Sequence, residues 1–463
     1  MLIMLGLVAL CLVAGPAHAR LEIDPEHPYY FRDGDAPVYL LGASDRDAFF
    51  IWRNDKGFHW REYLQTLHDN GFNYVRQDVT AWQALDVPQG YPGQFSNPAW
   101  PFLRPGPGPA ADGKPRFDLT RFDEPFFRSR IRPFIARAAD LGIYVELTLF
   151  DGLSGRRWGW CLYDEGNHVN ELAVEPRMQD TDAVLRNDAL RAVQEAYVSK
   201  VLAETAGFGN VIYEICNESG GREWVRHFVE FIHDHPQHTS RLVSAGEQTS
   251  AFDPRTGPND IIAKHRGGGG LYATDADVKR HHDALLSFRV GKPIIHNEYF
   301  LYANRSTDDP NFVRKMMWGD FTAGGHSNFY DFRYWRGTGR TVDDGDPSQQ
   351  PPSEILDAGR HLRWLISRVP FWEMTPADAC VSPPGPDTYA MALADEGRCY
   401  VVYLLGRQVA GVEMTVPEGD YRVRWYDPKS GAATEPRPAR TAAGTLTLSL
   451  PGFDQDIVLW LEG

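Results

Sequence analysis

Short apolar runs rich in branched residues alternate along this chain with longer segments whose apolar positions recur every three or four residues. The first kind reads as buried parallel strands, the second as amphipathic helices laid over them. Strand-like runs fall near 38–41, 72–78, 143–149, 211–216, 242–245, 261–264, 293–296 and 328–330. Helix-like segments fall at 58–70, 131–141, 190–206, 284–290 and 353–367. In the third of these, Leu190, Val193, Tyr197 and Val201 share one face; in the last, Ile355, Leu362, Leu365 and Ile366 form the stripe. Four helix-to-strand junctions carry glycine, at Gly71, Gly142, Gly207 with Gly209, and Gly291. Glycine just past a helix end adopts the left-handed conformation cheaply and lets the chain turn into the next strand. Asp33-Gly34 marks a hairpin turn whose second strand runs on to open the set. Eight strands alternating with helices predict a (β/α)8 TIM barrel, an α/β fold, over residues 20–372.

Past residue 372 the texture changes. Short runs of alternating pattern at 389–392, 399–404, 412–416, 421–425, 445–450 and 457–461 are separated by turn residues such as Pro417-Glu418-Gly419 and Asp427-Pro428. They predict a small antiparallel β-sandwich over 373–463. At the other end, 1–19 is an apolar run closing on Ala17-His18-Ala19, a small-x-small cleavage pattern. It is expected to be a secretion signal, placing the mature protein outside the cell or in the periplasm. Of the remaining cysteines, Cys380 and Cys399 form one possible disulfide and Cys161 and Cys216 another; the alternative for Cys216 is a small residue lining the barrel.

Forty-seven basic residues against 62 acidic give a net charge of −15, with no basic block. Nucleic acid and anionic membrane surfaces are therefore poor partners. The 13 tryptophans are compatible with stacking on sugar rings.

The candidate chemistry lies at strand ends. The fourth run stops at Asn217-Glu218, and the seventh ends in His296-Asn297-Glu298. Catalytic groups of a TIM barrel gather at the C-terminal ends of its strands. Two carboxylates placed there are the equipment for cleaving a glycosidic bond. Arg76 near the end of strand two, His265, His296, Tyr299 and Asp331 are further strand-end candidates for sugar contact. Trp82, Trp158, Trp160 and Trp335 are candidates for stacking on it. The first three tryptophans sit in two long loops, after strands two and three, that are expected to build the cleft. Glu214 is expected to point the same way as Glu218 but one layer deeper, in a structural role; Glu146 and Glu247 are the rival carboxylates.

Tyr213-Glu214-Ile215-Cys216-Asn217-Glu218 after a helix, His296-Asn297-Glu298 on a later strand and Arg76 on strand two resemble the retaining glycoside hydrolases of clan A, the cellulase-like superfamily. Phe117-Asp118-Leu119-Thr120-Arg121-Phe122-Asp123, Leu149-Phe150-Asp151-Gly152 and the tail 421–460 are similar to apiosidase-like proteins, whose C-terminal β-domain is sometimes labelled collagen-binding. The resemblance implies a double displacement: Glu298 as nucleophile, Glu218 as acid and base, Asn217 on the sugar 2-hydroxyl and Arg76 keeping Glu298 ionised. It implies a carbohydrate substrate and no cofactor. His265 on strand six and the lack of a clear tryptophan ending strand eight depart from the cellulase pattern. Two other readings compete: a non-catalytic carbohydrate- or matrix-binding protein on a barrel scaffold, and a metal-dependent barrel hydrolase using His265 and His296.

Overall fold

Eight parallel strands close into a barrel in chain order: Leu41–Ala43, Tyr74–Asp78, Tyr144–Asp151, Val211–Asn217, Leu242–Gly246, Ile261–His265, Ile294–Tyr299 and His326–Phe329. They are called strands one to eight below. The computed structural model describes residues 20–44, 60–79, 99–151, 161–172, 181–217, 220–237, 241–246, 252–265, 274–299, 310–329, 353–382, 385–441 and 444–463. The expected signal at 1–19 lies outside them, as do Trp82, Trp158, Trp160, Glu218, Glu247, Asp331 and Trp335, and the side chain of Tyr299. No helix among the described residues is long and apolar enough to cross a membrane.

The hairpin at Asp33-Gly34 forms, with Phe31–Asp33 paired to Ala36–Val38 and Leu21–Ile23 added at the edge. It does not run on into the barrel as expected, because the chain leaves the small sheet at Val38 and starts strand one at Leu41. Leu21, Phe31, Val38 and Leu40 pack on Tyr74, Tyr144, Ile212, Leu242, Ile261 and Ile295, which sit at or near the starts of their strands. The sheet thus closes the N-terminal end of the barrel with apolar side chains.

Three of the four glycine junctions behave as expected: Gly71, Gly142 and Gly291 have φ of +81°, +66° and +82°. Gly207 does not take the left-handed conformation; the helix Asp188–Thr205 ends instead on Thr205, whose hydroxyl donates back to the Val201 carbonyl. Of the segment expected as a helix at 284–290, only the first three residues are helical, as the end of an earlier helix, Asp275–Leu286. It starts at a reciprocal cap in which Thr274 and Asp277 bond each other's backbone N–H. Two long helices among the described residues were not anticipated. Arg222–Asp234 buries Trp224, Val225, Phe228, Val229 and Ile232 on one side. Pro310–Thr322 is buried almost all round, so it shows no polar stripe.

That second helix is surrounded because it lies between barrel and sandwich. The six-stranded sheet of the sandwich has the order Thr375–Pro376, Thr388–Asp395, Cys399–Gly406, Asp456–Glu462, Gly419–Tyr426 and Arg437–Thr441. A two-stranded sheet, Gly411–Thr415 with Thr445–Ser449, covers its other face. Met391, Val401, Tyr403, Tyr426, Val458 and Trp460 of the large sheet join the barrel's own core. Trp318 stacks on Tyr403 at 5.6 Å, and Trp364 lies nearly parallel to Tyr426 at 5.1 Å. Arg314 reaches across the seam to Asp456 in two hydrogen bonds of 3.0 and 2.8 Å, with both side chains buried. Arg314→Met strands the Asp456 charge in that seam. It is expected to lower unfolding free energy by about 3–5 kcal/mol, read as a urea midpoint shift; a shift within error would contradict the described seam.

Neither of the two possible disulfides is present. Cys161, Cys216, Cys380 and Cys399 are free thiols. Burial pushes Cys380 up to about 11 and Cys399 up to about 12, so both stay protonated in the sandwich.

Candidate active site

Alternation along the strands turns Tyr74 and Arg76, Glu146 and Thr148, Glu214, Ser244 and His265 into the barrel lumen. There they form one buried polar network. Arg76 is its hub: Nε donates to Glu214 Oε2 at 2.7 Å, Nη1 to Glu298 Oε2 at 3.0 Å and Nη2 to Asn217 Oδ1 at 3.0 Å. Thr148 donates to the same Glu214 oxygen at 2.5 Å, and Asn297 Nδ2 donates to the other at 2.9 Å. The His265 ring stands between the two acids, with Nε2 at 3.3 Å from Glu214 and Nδ1 at 3.4 Å from Glu298. One layer down, Glu146 accepts from Tyr74, Ser244 and Asn297.

Strict alternation would send Asn297 and Glu298 to opposite faces of strand seven. Both point inward because the strand carries an extra residue there. On one side His265 pairs with Glu298 while its neighbour Lys264 pairs with His296. On the other, Asn328 alone stands between the pairs His296–Ser327 and Tyr299–Phe329. Such a bulge re-aims side chains, and bulges concentrate beside active sites.

The two deep carboxylates are set apart electrostatically. Burial would raise Glu214, but Arg76 and His265 outweigh it and hold the carboxyl down to about 2, so Glu214 is ionised. Burial, and then the charge of Glu214, raise Glu146 from its ordinary value against the pull of Arg76. A group that holds its proton more tightly when folded stabilises the fold at low pH and loses that contribution as pH rises past the unfolded value, about 4. Glu146→Gln mimics the protonated form and can donate to the Ser244 hydroxyl. It is expected to exceed wild type in thermal midpoint near pH 8, the difference closing toward pH 4. A variant less stable than wild type at pH 8 would refute the assignment.

Of the residues singled out in the sequence, Arg76, Asn217, His265 and Glu298 meet in this network. His296 does not. Ile295 points inward, so His296 points out, where Nδ1 lies 3.1 and 3.2 Å from the Asp320 carboxylate. His281 Nε2 bonds the same carboxylate at 2.7 Å, and the two rings lie 4.0 Å apart. His296 therefore cannot touch a sugar in the lumen, nor share a metal with His265 across the wall. His281, His296 and Asp320 lie close enough to share a cation, but behind strand seven and away from the carboxylates. Asn297, Asn328 and Thr148 were missed. A polar residue two positions after Glu146, on the same face of strand three, was the available signal for Thr148; the two asparagines depend on the bulge.

Fold and site together define a closed (β/α)8 barrel with a buried arginine–carboxylate network in its lumen, followed by a β-domain. No family model matches the chain, and no curated protein matches it. Solved structures do. A glycoside hydrolase family 5 protein from Bacteroides vulgatus is 16% identical with a TM-score of 0.63, over 96% of this chain and 93% of that one. A second Bacteroides vulgatus protein, provisionally labelled a glycoside hydrolase, is 18% identical with a TM-score of 0.63, over 97% of this chain and 84% of that one. A third structure, described as a glycoside hydrolase, is 14% identical with a TM-score of 0.62, over 96% and 97%. At these identities the likeness is one of fold.

Proposed function

We propose that this protein is a retaining glycoside hydrolase in which Glu298 is the nucleophile and Glu218 the acid and base. Glu298 attacks the anomeric carbon while Glu218 protonates the departing oxygen; Glu218 then deprotonates the water that releases the sugar. The observation that carries the reading is the Arg76 bridge. One guanidinium holds Glu298 by one nitrogen and Asn217, the residue before Glu218, by another. The ends of strands four and seven are thereby tied together, as a pair of carboxyl groups about 5–5.5 Å apart requires. Arg76, with the His265 ring beside it, also favours the ionised Glu298 that a nucleophile needs. Asn217 is assigned to the sugar 2-hydroxyl. Tyr299, Asp331, Trp82, Trp158, Trp160 and Trp335 are assigned to the sugar rings, and the segment 1–19 to secretion.

The test is a screen of aryl glycosides and plant and bacterial polysaccharides with wild type, Glu218→Gln and Glu298→Gln in parallel. Sugar release by wild type alone is expected. Equal release by Glu298→Gln would overturn the assignment. A silent wild type that binds sugar in calorimetry would favour the non-catalytic reading.

A further inference from the structure

We infer that Asn328, on strand eight, is a positioning residue that sets the aim of Glu298 by clamping the bulge of strand seven. The inference rests on the reading of Glu298 as nucleophile. A bulge adds a residue but does not by itself fix where the next side chain points; something must hold the displaced backbone. Here the carbonyl of Asn297, the residue immediately before Glu298, accepts a 2.7 Å hydrogen bond from Asn328 Nδ2. The amide cannot flip and keep its partners, because Oδ1 would then face the Asn297 carbonyl, which can only accept; as placed, Oδ1 accepts from Ser44 Oγ at 2.8 Å. Ser44 is fixed in turn, accepting at 2.7 Å from the backbone N–H of Arg76. The chain of bonds therefore runs from the backbone of Arg76 through Ser44 and Asn328 to the backbone beside Glu298. The residue that ion-pairs with Glu298 thus shares a framework with the clamp that orients it.

Space for the clamp is provided by strand one. A Cβ on Gly42 would lie 2.4 Å from Asn328 Oδ1 and 2.5 Å from the Tyr74 ring. Asn328 is fully buried and reaches the bulge through its backbone, so its part in the reaction is geometric. From the outer side, His296 is pinned to Asp320, which also accepts from Ser327, so the bulge is held on both faces.

Asn328→Ala removes the donor to the Asn297 carbonyl. With a 2,4-dinitrophenyl glycoside that wild type cleaves, kcat is expected to fall about 10²-fold, the usual cost of about 1 Å of misplacement, with KM within about threefold. The discriminating arm uses Glu298→Gly with added azide. Azide attacks the anomeric carbon in place of the carboxylate; its nitrogen–carbon bond forms as the carbon–oxygen bond breaks, and the aryl oxide leaves. With no Glu298 to aim, adding Asn328→Ala is expected to change the azide rate by less than about threefold. An equal loss in both backgrounds would mean general disruption and overturn the inference, as would wild-type kcat in Asn328→Ala. Should the alanine variant not fold, Asn328→Leu keeps the bulk but has no group that can donate to Asn297, and the same split is expected. Failure of wild type to cleave any glycoside, or full activity of Glu298→Gln, would sink the functional reading and this one with it; failure of Asn328→Ala alone leaves the functional reading standing.

Discussion

Glu298→Gln is expected to lower kcat/KM by at least about 10³-fold, the scale seen when a nucleophile is removed, while the urea midpoint changes little. The substitution keeps shape but removes the negative charge and the nucleophilic oxygen. The fold tolerates this because Arg76 keeps a second, deeper counter-ion in Glu214, at 2.6 Å. Initial rates on an aryl glycoside and urea unfolding of the same preparation check both halves. A rate within tenfold of wild type would remove Glu298 from the mechanism.

Arg76→Met is expected to be the most destabilising single change at the site. It leaves Glu214 and Glu298 buried without the guanidinium that ion-pairs with both. Breaking one side of a buried ion pair costs about 3–5 kcal/mol, and the loss of aim at Glu298 is expected to cost about 10²-fold or more in kcat. The pH dependence carries the signature. Glu214 is depressed to about 2 when folded, so its stabilising contribution is present above the unfolded value, about 4, and is lost as pH falls toward 2. Without Arg76 that contribution disappears. Wild type and variant should therefore differ most at pH 5–7 and converge between pH 4 and 2, measured by urea unfolding across that range. A difference that grows on acidification would contradict the assigned charge state of Glu214.

The barrel was legible because its strands are buried on both faces and read as apolar runs, preceded in three cases by a left-handed glycine. The helix Pro310–Thr322 was not, because amphipathicity is the signal and this helix has none: the sandwich covers the face that would otherwise meet water. The edge strand Arg437–Thr441 escaped for the opposite reason, being mostly exposed and containing Pro438. Within the site, a period of two placed Glu214 deep in the lumen, where it meets Arg76. The same period could not place both Asn297 and Glu298 there. A bulge shows only in the registers of the neighbouring strands, and these are tertiary facts. His296 illustrates the cost of treating strand-end residues as a set: two residues before Glu298 in sequence, it faces the opposite side of the barrel wall.

The central claim is a double displacement, and its most direct test is the configuration of the first product. Proton NMR following hydrolysis of the best glycoside from the screen resolves the anomeric signal before mutarotation. Initial appearance of the sugar with the substrate's own anomeric configuration is the predicted result. Initial appearance of the opposite anomer would show a single displacement by water and contradict Glu298 as nucleophile.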